Sequence, residues 1–438
     1  ALSLALAAIM LVGMMVVSAS AASYNNLTDK DEIVNKDAVS MLVSLGIIEG
    51  KPDGSYGPTE NVDRAQMAKM LSVIMNKGVD NSALYQSVNS GLVDVNTNWA
   101  KGHINYCYTT GIIAGRGTGT FDPSATVTAL EAAKMLLVAV GYDPAIEGFE
   151  GADWAINVSV RADEQGIFEG FTKDLSAPLN RDDAALLIYN ALDVEMIQSY
   201  TTNNYPIVYS DHRTILSDKY GVIKVEGVVT ANEWAILDDD TDTALQEGKT
   251  RIYNPDGILS TTGNTAVAQD SSANVKTQVF NVSTPVDMLG KAVTMYVKKT
   301  TILADSTVYG APVVSDVNTV IETGEKVTGG DSKDDDSLAA LLKGTGLATD
   351  KATEYYHNYE EVAIDSADVD DIMNVKGAAL TVIDNDNDGY VNYVISVEKS
   401  LTHVSGVSSK NETTTLYGLP GDDVIDNEDI VTTATDLT

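Results

Sequence analysis

Cysteine is almost absent. The single residue, Cys107, leaves no internal disulfide to form, so the chain depends on buried cores, and 438 residues are enough for two to four of them. Basic side chains are scarce as well: 28 Lys and Arg stand against 63 Asp and Glu, a formal charge of −35. That imbalance argues against nucleic acid and anionic membrane surfaces as partners, and a polyanion could be held only where cations gather locally. The four histidines, His103, His212, His357 and His403, are scattered without ligand spacing. Gly-x-Ser-x-Gly, His-Glu-x-x-His and Walker loops are all missing. With no signature of catalysis, the expectation is a protein that is not an enzyme.

One long apolar run is present. Residues 1–17 lead into Ser18-Ala19-Ser20-Ala21, a small-residue cleavage pattern, so 1–21 read as a secretory signal peptide. No later apolar stretch is long enough to span a bilayer, and the mature form is expected to have no membrane span.

Downstream, one pattern occurs three times: an apolar or Trp position, a glycine twelve residues on, and a proline twelve further. The anchors are Val34/Gly46/Pro58, Trp99/Gly111/Pro123 and Trp154/Gly166/Pro178. Self-similarity at a fixed period marks a repeat architecture, here over 24–88, 89–144 and 145–198. Each glycine opens a segment (Gly46-Ile-Ile-Glu-Gly50, Gly111-Ile-Ile-Ala-Gly115, Gly166-Ile-Phe-Glu-Gly170) that ends one helix with a left-handed cap. Each proline precedes a second helix, whose start is marked by the capping pairs Asp63/Gln66, Thr128/Glu131 and Asn180/Asp183. Arg64 and Arg181 fall in the first turn of those helices, where the macrodipole disfavours a cation. Something other than the helix itself is expected to hold them.

This layout resembles the S-layer homology (SLH) family, whose repeats run Phe-x-Asp, Trp-Ala, Gly-Ile-Ile-x-Gly, Phe-x-Pro and Thr-Arg-Ala-Glu. The second unit matches best, with Asp94, Trp99-Ala100, Gly111 to Gly115, Phe121-Asp-Pro123 and Thr128-Ala-Leu-Glu131, but Ala129 stands where the family has Arg. The first keeps Arg64 and has Val34 at the Trp position; the third keeps Trp154 and Arg181 and lacks the Phe-x-Pro aromatic. The resemblance implies a helical domain in which the arginine contacts an anionic, commonly pyruvylated, secondary cell-wall polysaccharide. A guanidinium suits a pyruvyl carboxylate because it can bind both oxygens. Trp99 and Trp154 suit either a sugar platform or a core position, and the arginines either a ligand contact or a solvated surface or salt-bridge position.

After Tyr200 the texture changes to Val, Thr, Ile and Tyr between Asp, Asn, Gly and Ser turns. The reading is a linker at 199–219, a β-rich domain at 220–400 and the start of a further β unit at 401–438. The expected fold class is multidomain α plus β: a three-repeat helical domain followed by all-β sandwich or barrel-like domains. Within the β region, Asp384-Asn-Asp-Asn-Asp-Gly389, followed by Tyr390 and Asn392, resembles the first half of a calcium loop. The twelfth position is Ile395 where an EF-hand has Glu. A bare hairpin turn accounts for the same residues as well as weak calcium does. Calcium is the one cofactor suggested, with Asp384, Asp386, Asp388, Tyr390 and Asn392 as its ligands, or else the acidic loop Asp331–Asp336.

The expected function is that of a secreted, non-catalytic Gram-positive surface protein held noncovalently on an anionic wall polymer, with self-assembly into a surface layer as its leading role. A wall-anchored glycan hydrolase and an adhesin are the alternatives.

Overall fold

The computed structural model describes residues 24–237, 244–258, 275–298, 306–323, 338–362 and 378–398, with the backbone of three short strands beyond 402. The signal-peptide segment 1–21 and the acidic loop Asp331–Asp336 lie outside the described residues. The chain divides into two compact units, one comprising residues up to Val229 with Gln246–Thr284 and Val293–Val314, the other Thr230–Leu245, Pro285–Ala292 and Ser315 onward.

The first unit opens with three helix pairs: α1 (Lys36–Ser44) with α2 (Arg64–Met75), α3 (Lys101–Thr109) with α4 (Ala129–Val140), and α5 (Trp154–Glu164) with α6 (Arg181–Leu192). Local chemistry sets the ends. Gly46, Gly111 and Gly166 follow the first helix of each pair at φ of 69°, 80° and 69°, conformations that a side chain would strain. Asp63 and Thr128 accept the amides of Gln66 and Glu131, whose side chains return the bond in full capping boxes. Asn180 accepts the Asp183 amide, while the Asp183 carboxylate turns to Lys173 instead.

The segments entering α2, α4 and α6 meet in a closed triangle. The Val62 amide donates to the Leu179 carbonyl at 2.8 Å, Leu179 to Val127 at 2.7 Å, and Val127 back to Val62 at 2.9 Å. Each segment thereby satisfies its backbone through the other two, which no pair could do alone. The apolar faces of the second helices, including Met67, Leu71, Leu137 and Leu187, close the core beneath.

The same core continues past residue 198. Strands β1 (Ile197–Tyr200) and β2 (Pro206–Val208) form a hairpin, followed by a single π-helical turn at Leu216–Tyr220. The stretch 199–219, read as a polar linker, is therefore folded: Ile215, Leu216 and Tyr220 are buried in the cluster that holds the helices. Next come β3 (Val222–Ala231), β4 (Thr250–Tyr253), β5 (Thr277–Phe280), β6 (Ala292–Lys298) and β7 (Val308–Val314), in the order β5-β4-β3-β6-β7. Tyr296 of β6 meets the Tyr189 ring of α6 edge-on at 5.8 Å. Gly310 of β7 runs so close to α1 that a Cβ there would sit 3.6 Å from the Met41 backbone.

The second unit holds β8 (Thr319–Glu322), α7 (Leu338–Leu342), β9 (Glu354–His357), β10 (Glu360–Glu361), β11 (Ala378–Asp384) and β12 (Tyr393–Glu398), with the order β10-β9-β12-β11-β8. Leu338 and Leu342 pack with Leu380, Val382 and Val394 of its sheet. Strands β13 (His403–Ser408), β14 (Thr413–Tyr417) and β15 (Val424–Asp426) make a separate antiparallel sheet. The architecture is mixed, helical first and rich in sheet afterwards. Both five-stranded sheets run open from edge to edge in the described pairings, so barrel closure is not among them. No helix of the described residues is long and apolar enough to cross a membrane.

Candidate functional site

The arginine that the helix dipole disfavours is held by neighbouring backbone. Arg64 is only 4% exposed: its Nε donates to the Phe121 carbonyl at 2.8 Å, its Nη2 to Ala114 at 3.0 Å, and its guanidinium lies 4.3 Å from the centre of the Phe121 ring. Arg181 repeats the arrangement half-buried, with Nε on the Tyr56 carbonyl at 2.8 Å, Nη2 on Glu49 at 3.4 Å, and the Tyr56 ring at 4.7 Å. The accepting turns are themselves pinned. Asp29 takes the amides of Tyr56 and Gly57 at 2.7 and 2.8 Å, and Asp94 those of Phe121 and Asp122 at 2.9 and 2.7 Å. Burial pushes both carboxyls up, but these donated N–H bonds outweigh it and hold them below the ordinary aspartate value. Burial, with Arg116 nearby, draws Arg64 down to about 10, still charged at neutral pH.

Two grooves open beside these clamps. The first, about 570 Å³, is lined by Arg64, Arg116, Lys134, Glu131, Glu150 and Trp154 with the Ile112 to Gly117 loop. The second, about 220 Å³, is lined by Arg181, Lys51, Lys69, Gln66, Glu49 and Trp99 with the loop starting at Ile47. The correspondence is positional: Lys69 and Lys134 each lie six residues after their N-cap, and each Trp comes from the helix pair that follows. At the third set of positions Leu186 replaces the lysine, Ala129 the arginine and Val34, 82% exposed, the tryptophan.

The structure thus brings Arg64 together with Trp154, and Arg181 with Trp99, across pairs rather than within them. Trp99 is 58% exposed and meets the His103 ring edge-on; Trp154 is half-buried with the Lys134 ammonium 5.7 Å from its ring. The hydrogen bonds of Arg64 and Arg181 go mainly to backbone carbonyls, so the two arginines are clamps that show a groove one edge and are not solvated surface groups. The cations Lys51, Arg116, Lys69 and Lys134 were missed, although their recurrence at one register was visible in the repeats.

The S-layer homology domain model matches residues 26–68 and 93–133, each running into the helix that carries a groove. This is an SLH-domain surface protein. The third SLH-like unit, 145–198, lies outside the two matches. The chain is similar to a cell surface protein of Thermoanaerobacter kivui, 26% identical over 81% of this chain and 40% of that protein. It is 33% identical to an S-layer protein of Bacillus licheniformis over 26% of this chain and 12% of that one. An amylopullulanase of Thermoanaerobacterium thermosulfurigenes is 30% identical over 36% of this chain and 9% of its own length. The SLH chain therefore spans less than half the length of these relatives. Its location is the cell surface, at the wall or S-layer.

The aspartate loop of the SLH protein sits between β11 and β12. Carboxylate oxygens of Asp384, Asp386 and Asp388 come within 4.8 Å of one another. Buried Asp384 accepts the amides of Asn387 and Gly389 at 2.8 and 3.1 Å, and Gly389 has φ of 86°. Burial, then the charges of Asp388 and Asp384, raise the Asp386 carboxyl above its usual value. Of the other two expected ligands, Asn392 accepts the Asn385 amide through Oδ1 at 2.6 Å, and Tyr390 is exposed. Three acidic oxygens can take a hard cation, with the rest of its shell from carbonyls or water.

Proposed function

We propose that residues 24–198 form a domain of three SLH repeats that anchors the protein noncovalently to an anionic, pyruvate-bearing secondary cell-wall polysaccharide, and that the chain serves a non-catalytic surface layer. The observation that carries this reading is the gathering of three cations and one tryptophan in each of two grooves, on a chain whose formal charge is −35. The pyruvyl carboxylate is bound by Lys51, Lys69 and the free edge of Arg181 while its sugar ring lies on Trp99, and Trp154 offers a second ring platform beside Arg64 and Arg116. The closed triangle of Val62, Val127 and Leu179 supports three equivalent repeats. The third position, with Ala129, Leu186 and Val34, has lost the chemistry of the other two and is silent.

A second reading keeps the anchor and changes the cargo. The likeness to an amylopullulanase over 36% of this chain favours SLH repeats attached to an extracellular glycan hydrolase, and the adhesin alternative has no such support. Sedimentation with purified cell walls tests the anchor: the full chain should pellet, and chemical removal of pyruvyl groups should leave it in the supernatant. Equal pelleting on stripped walls would sink the ligand assignment. Lattices formed by the released protein favour a coat, and polysaccharide cleavage favours the enzyme.

A further inference from the structure

The two grooves differ by one carboxylate. In the first, Glu131 lies inside: its side chain is 18% exposed, and Oε1 accepts from Arg116 Nη1 at 2.7 Å and stands 4.0 Å from Arg64 Nη1. Its Oε2 accepts the Thr128 amide at 3.2 Å as part of the capping box. The place between two guanidinium groups where an anion would bind is already taken by the protein. Lys134 is engaged as well, donating to the Phe149 carbonyl at 2.6 Å.

In the second groove the same helical position is Gln66, which closes its capping box with Asp63 and brings no charge. Lys51 and Lys69 do have acidic partners, Glu60 and Glu49, but these are 55% and 71% exposed at the rim. An exposed partner is weakly held and can turn into water, whereas a carboxylate fixed through both oxygens cannot leave without opening its helix cap.

We infer that the residue at this capping position sets the charge preference of each groove: Gln66 makes the smaller groove the one that selects a carboxylate, and Glu131 tunes the larger one toward an uncharged saccharide segment. The inference rests on the wall-polysaccharide reading. A single polymer chain would then be held at two chemically different points, its acidic substituent in one groove and neutral sugars in the other.

Tryptophan separates the grooves experimentally. Trp99 lines one, Trp154 the other, and Trp234 belongs to the second compact unit and serves as a control. Indole N–H resonances of the full chain, assigned by Trp→Phe variants, are followed during titration with the methyl glycoside of a 4,6-O-pyruvylated hexose and with its unpyruvylated parent. The Trp99 signal should saturate at lower concentration with the pyruvylated sugar, and the Trp154 signal should not. Glu131→Gln should tighten the Trp154 response to the pyruvylated sugar roughly tenfold, the scale of one charge-assisted hydrogen bond. Gln66→Glu should weaken the Trp99 response comparably. Each exchange introduces at the capping position the residue with which the other helix closes its own capping box, so the returned bond to the N-cap amide is retained and folding is preserved. An unchanged Trp154 midpoint in Glu131→Gln, or a wild-type Trp154 that already prefers the pyruvylated sugar, overturns the inference. If neither Trp99 nor Trp154 responds to either sugar, the wall-polysaccharide reading fails, and the inference with it.

Discussion

Arg64 is held by groups that its own helix does not supply. The helix dipole shows that a cation in the first turn of α2 is held by something else, and the resemblance suggests a glycan. The partners that hold it are carbonyls 57 and 50 residues away in sequence, which only the folded chain brings near. Arg64→Ala should therefore lower unfolding stability by about 2–3 kcal/mol, because two buried carbonyls lose a charged donor, and urea denaturation will measure it. Lys51→Ala should instead leave stability within about 0.5 kcal/mol and weaken wall binding. A neutral Arg64→Ala would return the arginine to the ligand alone.

At the scale of elements, legibility follows periodicity. Strands β4 and β6 are legible as strands because Thr250–Tyr253 and Ala292–Lys298 are rich in β-branched and aromatic residues and lie between turn residues. Strand β7 is harder to read because Gly310 and Pro312 interrupt it, and the proline is tolerated because it is an edge strand. The helix caps were legible, being local. The grooves were not, because each takes its walls from two helix pairs and the register between them is set by the Val62, Val127 and Leu179 triangle. The β11–β12 turn was legible in its alternating carboxylates, which converge, whereas the bond from the Asn385 amide to Asn392 appears only in the folded chain. Millimolar calcium should raise the melting temperature of the full chain by neutralising that cluster, with affinity in the roughly 10⁻⁴ to 10⁻³ M range. Asp386→Asn with Asp388→Asn should abolish the rise and spare buried Asp384, which anchors the turn. An equal rise in the variant would place the ion elsewhere.

At the scale of the whole molecule, the sequence suggests an anchor separated from its strands by a linker, whereas the first compact unit runs through both. Tyr220, Val222 and Tyr296 are buried in the same core as Leu42 and Leu187. A fragment ending at residue 198 should therefore melt well below one ending at 314, because truncation exposes the faces of α1 and α6 that Gly310 and Tyr296 cover. Equal melting temperatures would restore the independent anchor.

The hydrogen-bonded triangle also has a mechanical meaning. An array of stacked repeats joined only to its neighbours can be peeled from either end, one unit at a time. Here the third segment is bonded back to the first, with Val62 on Leu179, so the anchor has no free end at which peeling can begin. A tug on the exterior of the cell loads all three sides of the ring together, and one side cannot open without straining the other two.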